Sequence, residues 1–180
     1  MRIYRRRLPH VDSPGEPVFV TWRLSGSLPP HRAFLGGPIA SRAAFAVMDR
    51  LLDEARCGPS MLRQPAVARI VQEEILAVAA VGACPVHAYV VMPNHVHVLW
   101  TPAISLADVV RLVKGRSARR INLLLGRTGS TFWQSEYFDR LVRSQDEFAS
   151  VRRYIEWNPV KAGLVRAAEE FVWSSGFGVE

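Results

Sequence analysis

The stretch Tyr89–Trp100 constrains the fold more than any other part of the chain. It is an apolar run that is broken at residues 92–94 and followed by two histidines, His95 and His97. So short a connection between two apolar segments predicts an antiparallel hairpin. Because side chains alternate along a strand, both imidazoles leave the same face of the returning strand. The hairpin therefore offers two nitrogen ligands on one side of a sheet.

Hydrophobic periodicity predicts the elements around this hairpin. We expect strands at residues 17–24, 85–91, 95–101 and 137–142 and helices at residues 40–56, 65–82 and 106–125. Capping boxes beginning at Ser105 and Ser144 predict the starts of two helices. The last helix is expected to stop at Asn158, because Pro159 disfavours a helical residue before it. This order predicts an α+β fold, a split βαβ sandwich with one central antiparallel sheet, helices on one face and an extra helical segment.

Length and charge narrow the class of protein. With 180 residues the chain is expected to form a single domain, 1–180, with a basic N-terminal arm at 1–16 and a C-terminal tail at 167–180. No apolar run reaches the roughly 18 residues of a membrane span, so we expect a cytoplasmic protein without a membrane partner. The net charge is +7, and residues 101–166 hold 12 basic and 6 acidic residues. This excess favours an anionic partner.

The histidine pair has two interpretations. Two imidazoles on one strand face can bind one cation, or they can lie on a solvated sheet face. Asn158, four residues after Tyr154 on the last helix, could supply an amide oxygen as a third ligand. Two imidazoles and one amide leave coordination positions open, which suits Mg²⁺ or Mn²⁺ holding a phosphate better than a closed zinc site.

Tyr154 also has two interpretations. A phenol with a pKa near 10 becomes a nucleophile only with help from a cation or base, which a metal-bound phosphate site would provide. The other interpretation is a half-buried helix tyrosine beside Val151 and Ile155. Tyr137 is a rival nucleophile, but it lies among aromatic residues and is more typical of packing or base stacking.

Several motifs together resemble a known family. They occur in order along nearly the whole chain, at residues 19–29, 91–97, 132–137, 154–165 and 173–175. The sequence resembles the REP-associated tyrosine transposases, bacterial relatives of the single-strand transposases of small insertion sequences in the His-hydrophobe-His endonuclease superfamily. The resemblance implies a ferredoxin-like fold, a divalent cation, and cleavage and rejoining of single-stranded DNA near imperfect palindromic hairpins.

The resemblance also implies roles for individual residues. His95 and His97 match the two metal-binding histidines, Tyr154 the nucleophile that becomes linked to a 5′-phosphate, and Asn158 the polar residue that assists the metal. Arg140 departs from the pattern, because many relatives have histidine at that position. Arginine is not a metal ligand, but it can hold a phosphate.

The basic residues fit a DNA partner. We expect phosphate contacts from eleven of them, namely Arg5, Arg6, Arg7, Arg111, Lys114, Arg119, Arg120, Arg140, Arg143, Arg152 and Arg153. The sequence therefore predicts a metal-dependent endonuclease and strand transferase, monomeric or homodimeric, that acts on single-stranded or hairpin DNA through a covalent 5′-phosphotyrosine. The alternatives are a domesticated hairpin-binding protein without transfer activity and a hydrolytic metal-dependent nuclease.

Overall fold

The computed structural model describes residues 2–5, 9–28, 42–54, 58–82 and 84–178. Two short 3-10 helices, Met61–Arg63 and Ala168–Glu170, accompany the main elements. Those elements, numbered in chain order, are β1 (Arg2–Arg5), β2 (Pro9–Asp12), β3 (Val18–Arg23), α1 (Arg42–Glu54), α2 (Pro65–Ala80), β4 (Val86–Val91), β5 (His95–Trp100), α3 (Leu106–Leu124), β6 (Phe138–Leu141) and α4 (Gln145–Lys161). Among the described residues, no helix is both long and apolar enough to cross a membrane.

Four strands form one antiparallel sheet in the order β4, β5, β3, β6. β5 lies between β3 and β4 and is antiparallel to both, while β6 pairs with the other edge of β3. Because the chain passes through helices between β3 and β4, these strands form a split βαβ unit around the hairpin strand β5. The predicted α+β, ferredoxin-like fold is confirmed.

Helices cover both faces of this sheet. Val20 and Val98 point into a core shared with α2 and α3. Phe19 and Leu99, the next residues along the same strands, point into a second core with buried residues of α1 and α4. The expectation of helices on one face holds only for α2 and α3 and is wrong for the other two. Strands that are apolar on both sides need cover on both sides, and α1 and α4 provide it over the face that bears the two histidines of β5.

The N-terminal strands form a separate hairpin. β1 and β2 pair antiparallel. Asp139 of β6 holds this hairpin in place, since one carboxylate oxygen lies 2.5 Å from His10 Nδ1 and the other accepts a 2.6 Å hydrogen bond from the Val11 amide. The predicted basic arm at 1–16 therefore contains a hairpin docked against the sheet. Beyond the last helix, the tail returns to β4, where the Val91 amide donates to the Trp173 carbonyl at 2.9 Å.

One predicted cap is confirmed and the other is wrong. Ser144 accepts a 3.1 Å hydrogen bond from the Glu147 amide and so caps α4. Ser105 precedes α3 as predicted, but its side chain makes no capping hydrogen bond.

The predicted end of the last helix at Asn158 is also wrong. α4 continues to Lys161 with Pro159 inside it, and the Ala162 amide still donates to the Asn158 carbonyl at 2.9 Å. Proline removes only its own N–H, which would have reached the Ile155 carbonyl, so the following hydrogen bonds survive. Asn158 consequently keeps its helical position one turn after Tyr154.

Candidate active site

The two histidines of β5 lie side by side in the middle of the sheet. Their neighbours on β3 are Arg23, opposite His95, and Thr21, opposite His97. Both imidazoles are fully buried, and their Nε2 atoms are 3.0 Å apart. The interpretation that placed them on a solvated sheet face is therefore wrong. The two histidines are buried because α1 and α4 cover the face of the sheet on which they lie.

Hydrogen bonds orient both rings so that their Nε2 atoms converge. Asn94 donates from Nδ2 to the Leu52 carbonyl at 3.0 Å, so its Oδ1 faces His95 Nδ1 at 2.7 Å. An amide oxygen only accepts, and His95 therefore carries its proton on Nδ1 and a lone pair on Nε2. Burial lowers the pKa of His95 well below its ordinary value and keeps the ring neutral. His97 Nδ1 lies 2.7 Å from the Thr21 hydroxyl.

Helix α1 adds two carboxylates that the sequence analysis missed. Asp49 Oδ1 lies 3.1 Å from His97 Nε2, and Asp53 Oδ1 lies 3.8 Å from His95 Nε2. A signal for them exists in the sequence, because Asp49 and Asp53 are one helical turn apart and adjoin Met48 and Leu52 on the buried side of the helix. Acidic residues on an apolar helix face are seldom buried without a partner.

The histidine pair and Asp49 form a group that can hold a metal ion. Their three ligand atoms all lie within 4.8 Å of one another. Adjacent ligands of an octahedral ion with bonds of about 2.1 Å are about 3.0 Å apart, close to the 3.0 and 3.1 Å found here. Asp49 Oδ1 is buried without a hydrogen-bond partner among the described residues. A buried carboxylate oxygen that accepts no hydrogen bond and lies next to two imidazole nitrogens is suited to bind a cation.

Tyr154 meets this group through the other oxygen of Asp49. Its hydroxyl donates a short hydrogen bond to Asp49 Oδ2. Lys161, two turns further along α4, donates to the same oxygen at 3.0 Å and to Asp53 Oδ2 at 2.8 Å. The ammonium also lies 5.4 Å from the centre of the Tyr154 ring. One carboxylate thus connects the candidate nucleophile to the candidate metal site.

Asn158 lies between Tyr154 and Lys161 on α4. It is fully buried, and neither its Oδ1 nor its Nδ2 has a hydrogen-bond partner among the described residues. A buried amide without partners costs free energy, so this side chain fits a role toward a ligand. The Asn158 amide also acts to lower the pKa of Tyr154.

Burial and the charges of the site keep the phenol of Tyr154 protonated. Burial, followed by the negative charge and hydrogen bond of Asp49, raises the pKa of Tyr154 far above its ordinary value. Burial acts to raise the pKa of Asp49 itself, but the contacts with His97, His95 and Tyr154 together outweigh burial and the net shift is strongly downward. Burial acts to lower the pKa of Lys161, but Asp53 and Asp49 outweigh it and the net shift is upward. A further positive charge beside the phenol would oppose this shift and favour the phenolate.

The predicted DNA-binding residues of α3 lie on the opposite side of the sheet from this site. Arg111 and Arg119 are exposed. Lys114 donates to the carbonyl oxygens of residues 134 and 135 at 2.7 and 3.0 Å. Arg120 is paired with two glutamates of α2. The structure therefore does not bring these four residues to the nucleophile.

Other predicted DNA-binding residues lie on the site's side of the sheet. Arg140 of β6 is paired with Glu147. Arg143, Arg152 and Arg153 are exposed near and along α4. Arg5 lies in β1, and Arg6 and Arg7 lie outside the described residues.

The rival nucleophile Tyr137 lies apart from the site. Its ring stacks on His10, with centroids 4.1 Å apart, and Lys114 Nζ lies 5.9 Å from its centroid. These contacts agree with the packing interpretation.

Comparison with known proteins assigns the family. Residues 60–158 match the model of a family described as transposase, IS200-like. This stretch is more than half of the chain and contains both histidines, Tyr154 and Asn158. The chain belongs to the IS200-like transposase family. The protein is accordingly a DNA transposase, and α1 with Asp49 lies outside the matched stretch.

Two solved structures are similar to this transposase. One is described as a REP-associated tyrosine transposase bound to a REP hairpin. It is 20% identical, with a TM-score of 0.62, covering 97% of this chain and 82% of that one. A putative transposase from Deinococcus radiodurans is 19% identical, with a TM-score of 0.45, covering 86% of this chain and 97% of that one. No curated protein matches the sequence.

Proposed function

We propose that this transposase cuts and rejoins single-stranded DNA at REP-like hairpins through a covalent bond between Tyr154 and a 5′-phosphate. One observation carries the proposal: Asp49 accepts the phenol hydrogen bond with one oxygen and faces the histidine pair with the other. The likeness in fold to a transposase bound to a REP hairpin supports the choice of hairpin DNA. The excess of basic residues in this chain supports a polyanionic substrate.

A divalent cation would be held by His95, His97 and Asp49, with Asn158 beside them. Imidazole and carboxylate ligands with open positions suit Mn²⁺ or Mg²⁺. When bound, such an ion polarises the scissile phosphate and stabilises charge on its oxygens. His95 contributes a lone pair because Asn94 fixes its tautomer. Asp49 Oδ1 and Asn158 Oδ1, which this role would use, are among the buried atoms without hydrogen-bond partners in the described part of the chain.

The residues of α4 and α1 would perform the nucleophilic step. The Tyr154 oxygen attacks phosphorus, a P–O bond to tyrosine forms, and the bond to the 3′ oxygen breaks. The phenol proton passes to solvent by way of its hydrogen bond to Asp49 Oδ2, because the lowered pKa of Asp49 keeps this carboxylate from holding it, and the departing 3′ oxygen takes a proton from water. Lys161 places a positive charge beside the ring as the phenolate develops. The phosphotyrosine preserves the energy of the broken phosphodiester, so attack by a 3′ hydroxyl reverses the step and rejoins DNA.

A covalent-adduct assay tests this proposal. Hairpin oligonucleotides with single-stranded flanks and a labelled 3′ end are incubated with the transposase and Mn²⁺ or Mg²⁺, and adducts are resolved on denaturing gels. We expect a labelled protein band that disappears with a chelator and in Tyr154→Phe. Tyr137→Phe is the matched control and should retain the band, because Tyr137 stacks on His10 away from Asp49.

Each rival gives a different result in the same assay. If the DNA is cleaved without an adduct, and if this cleavage persists in Tyr154→Phe, the protein is a hydrolytic nuclease. Hairpin binding with neither cleavage nor adduct would indicate a domesticated binding protein. An adduct lost in Tyr137→Phe but kept in Tyr154→Phe would contradict the assignment of the nucleophile.

A further inference from the structure

A cleft of about 380 Å³ opens beside the nucleophile, and Asp49 does not line it. Four rings line it, those of Phe19, Phe45, Phe138 and Tyr154. Its volume lies in the range of ligand pockets, and nothing in the proposed chemistry of the cation site uses it. The cleft shares the Tyr154 side chain with the site, so an occupant would lie next to the reacting phosphate.

The rings form a rigid apolar surface. Phe19 of β3 and Phe138 of β6 are almost completely buried, which fixes the floor. Phe45 of α1 stacks on Phe138 with centroids 4.4 Å apart and meets Phe19 edge-on at 5.4 Å. Tyr154 presents its ring edge-on to Phe19 at 6.0 Å. Phe45 and Tyr154 are the partly exposed rings of this surface, and a flat aromatic ligand can pack against them.

The polar residues at the rim argue against a phosphate in this cleft. Asp146 and Glu147, in the first turn of α4, line it together with Arg140 and Ser150. The Arg140 guanidinium is already paired with Glu147. Carboxylates repel a phosphate but accept hydrogen bonds from the N–H groups of a nucleobase. The lining therefore suits a neutral base, with its phosphate left at the cation site.

We propose that this aromatic cleft binds the unpaired nucleobase that flanks the scissile phosphate. The inference rests on the proposed function, because it takes its substrate from that reaction. Stacking of the base on the partly exposed rings of the cleft would hold the adjoining phosphate in line with the Tyr154 hydroxyl. The same contact would favour cleavage at a linkage whose neighbouring base is free to unstack from the hairpin.

Fluorescence of 2-aminopurine tests the cleft independently of cleavage. The analogue replaces each base of a hairpin oligonucleotide in turn, and binding is measured with Tyr154→Phe, which should leave the DNA uncut. We expect strong quenching at one position in the single-stranded flank. An abasic residue at that position should weaken binding about 5-fold or more, the loss typical of one base–aromatic stack.

Two variants assign that signal to the cleft. Phe45→Leu should remove most of the quenching and most of the abasic effect. Phe148→Leu is the matched control. Phe148 lies on α4 and packs against His87, but it does not line the cleft. Ser150→Trp fills the cleft from an exposed position on α4 and should abolish quenching even where Phe45→Leu does not fold.

The results separate this inference from the proposed function. A wild-type adduct without position-specific quenching, or quenching unchanged by Ser150→Trp, would overturn the inference and leave the reaction intact. Quenching that depends on Phe45, together with no adduct under any divalent ion, would support the base site and refute the transfer reaction.

Discussion

Replacing Asp49 by asparagine tests whether this carboxylate holds the cation. The change keeps the shape of the side chain but removes the negative charge of the carboxylate. Its Oδ1 lies 3.1 Å from His97 Nε2. Two unit charges 4 Å apart interact by about 4 kcal/mol at an effective dielectric constant of 20. Solvent and the nearby Lys161 charge offset part of this attraction. We therefore expect the free energy of Mn²⁺ binding to weaken by about 2.7 kcal/mol, which is roughly a 100-fold loss of affinity.

Urea unfolding with and without Mn²⁺ measures that loss. At a concentration 100 times the wild-type dissociation constant, the ion should stabilise the wild-type transposase by about 2.7 kcal/mol and the variant by about 0.4 kcal/mol. Asp108→Asn is the control, because Asp108 is exposed on α3 at the opposite face and should leave the metal-dependent gain unchanged. Equal stabilisation of Asp49→Asn and the wild type would refute the inclusion of Asp49 in the metal site.

Two other changes test the local physics of the fold. Ser144→Ala removes the cap of α4 and should lower the free energy of unfolding by about 1 kcal/mol, whereas Ser105→Ala, which removes no capping bond, should cost clearly less in the same urea titration. The lowered pKa of His95 predicts that, without metal, stability falls as the pH drops below about 6.5, because the unfolded chain then binds a proton that the folded chain does not. Protonation of this group in the unfolded chain should lower the free energy of unfolding by up to about 1.4 kcal/mol per pH unit. His95→Gln should flatten this dependence on pH, and an unchanged dependence would show that His95 does not cause it.

Much of the site could be predicted from the sequence because its signals are local. The period of two along β5 puts His95 and His97 on one face, and the helical period puts Asn158 one turn beyond Tyr154. Both patterns depend only on the geometry of a single element. Pro159 misled the prediction of the helix end, because a local preference was overridden by hydrogen bonds on either side of the proline.

The amino-acid sequence by itself determined the split βαβ order, the pairing of the two histidines, and a tyrosine and an amide one helical turn apart. Only the tertiary structure decided that α1 crosses the same face and brings Asp49 between the histidines and the nucleophile, 105 residues from Tyr154 in sequence. It also decided that the histidines are buried and that a ring-lined cleft opens beside the phenol. Periodicity is fixed by the backbone within one element, whereas the side chains that meet across elements depend on how the helices pack on the sheet.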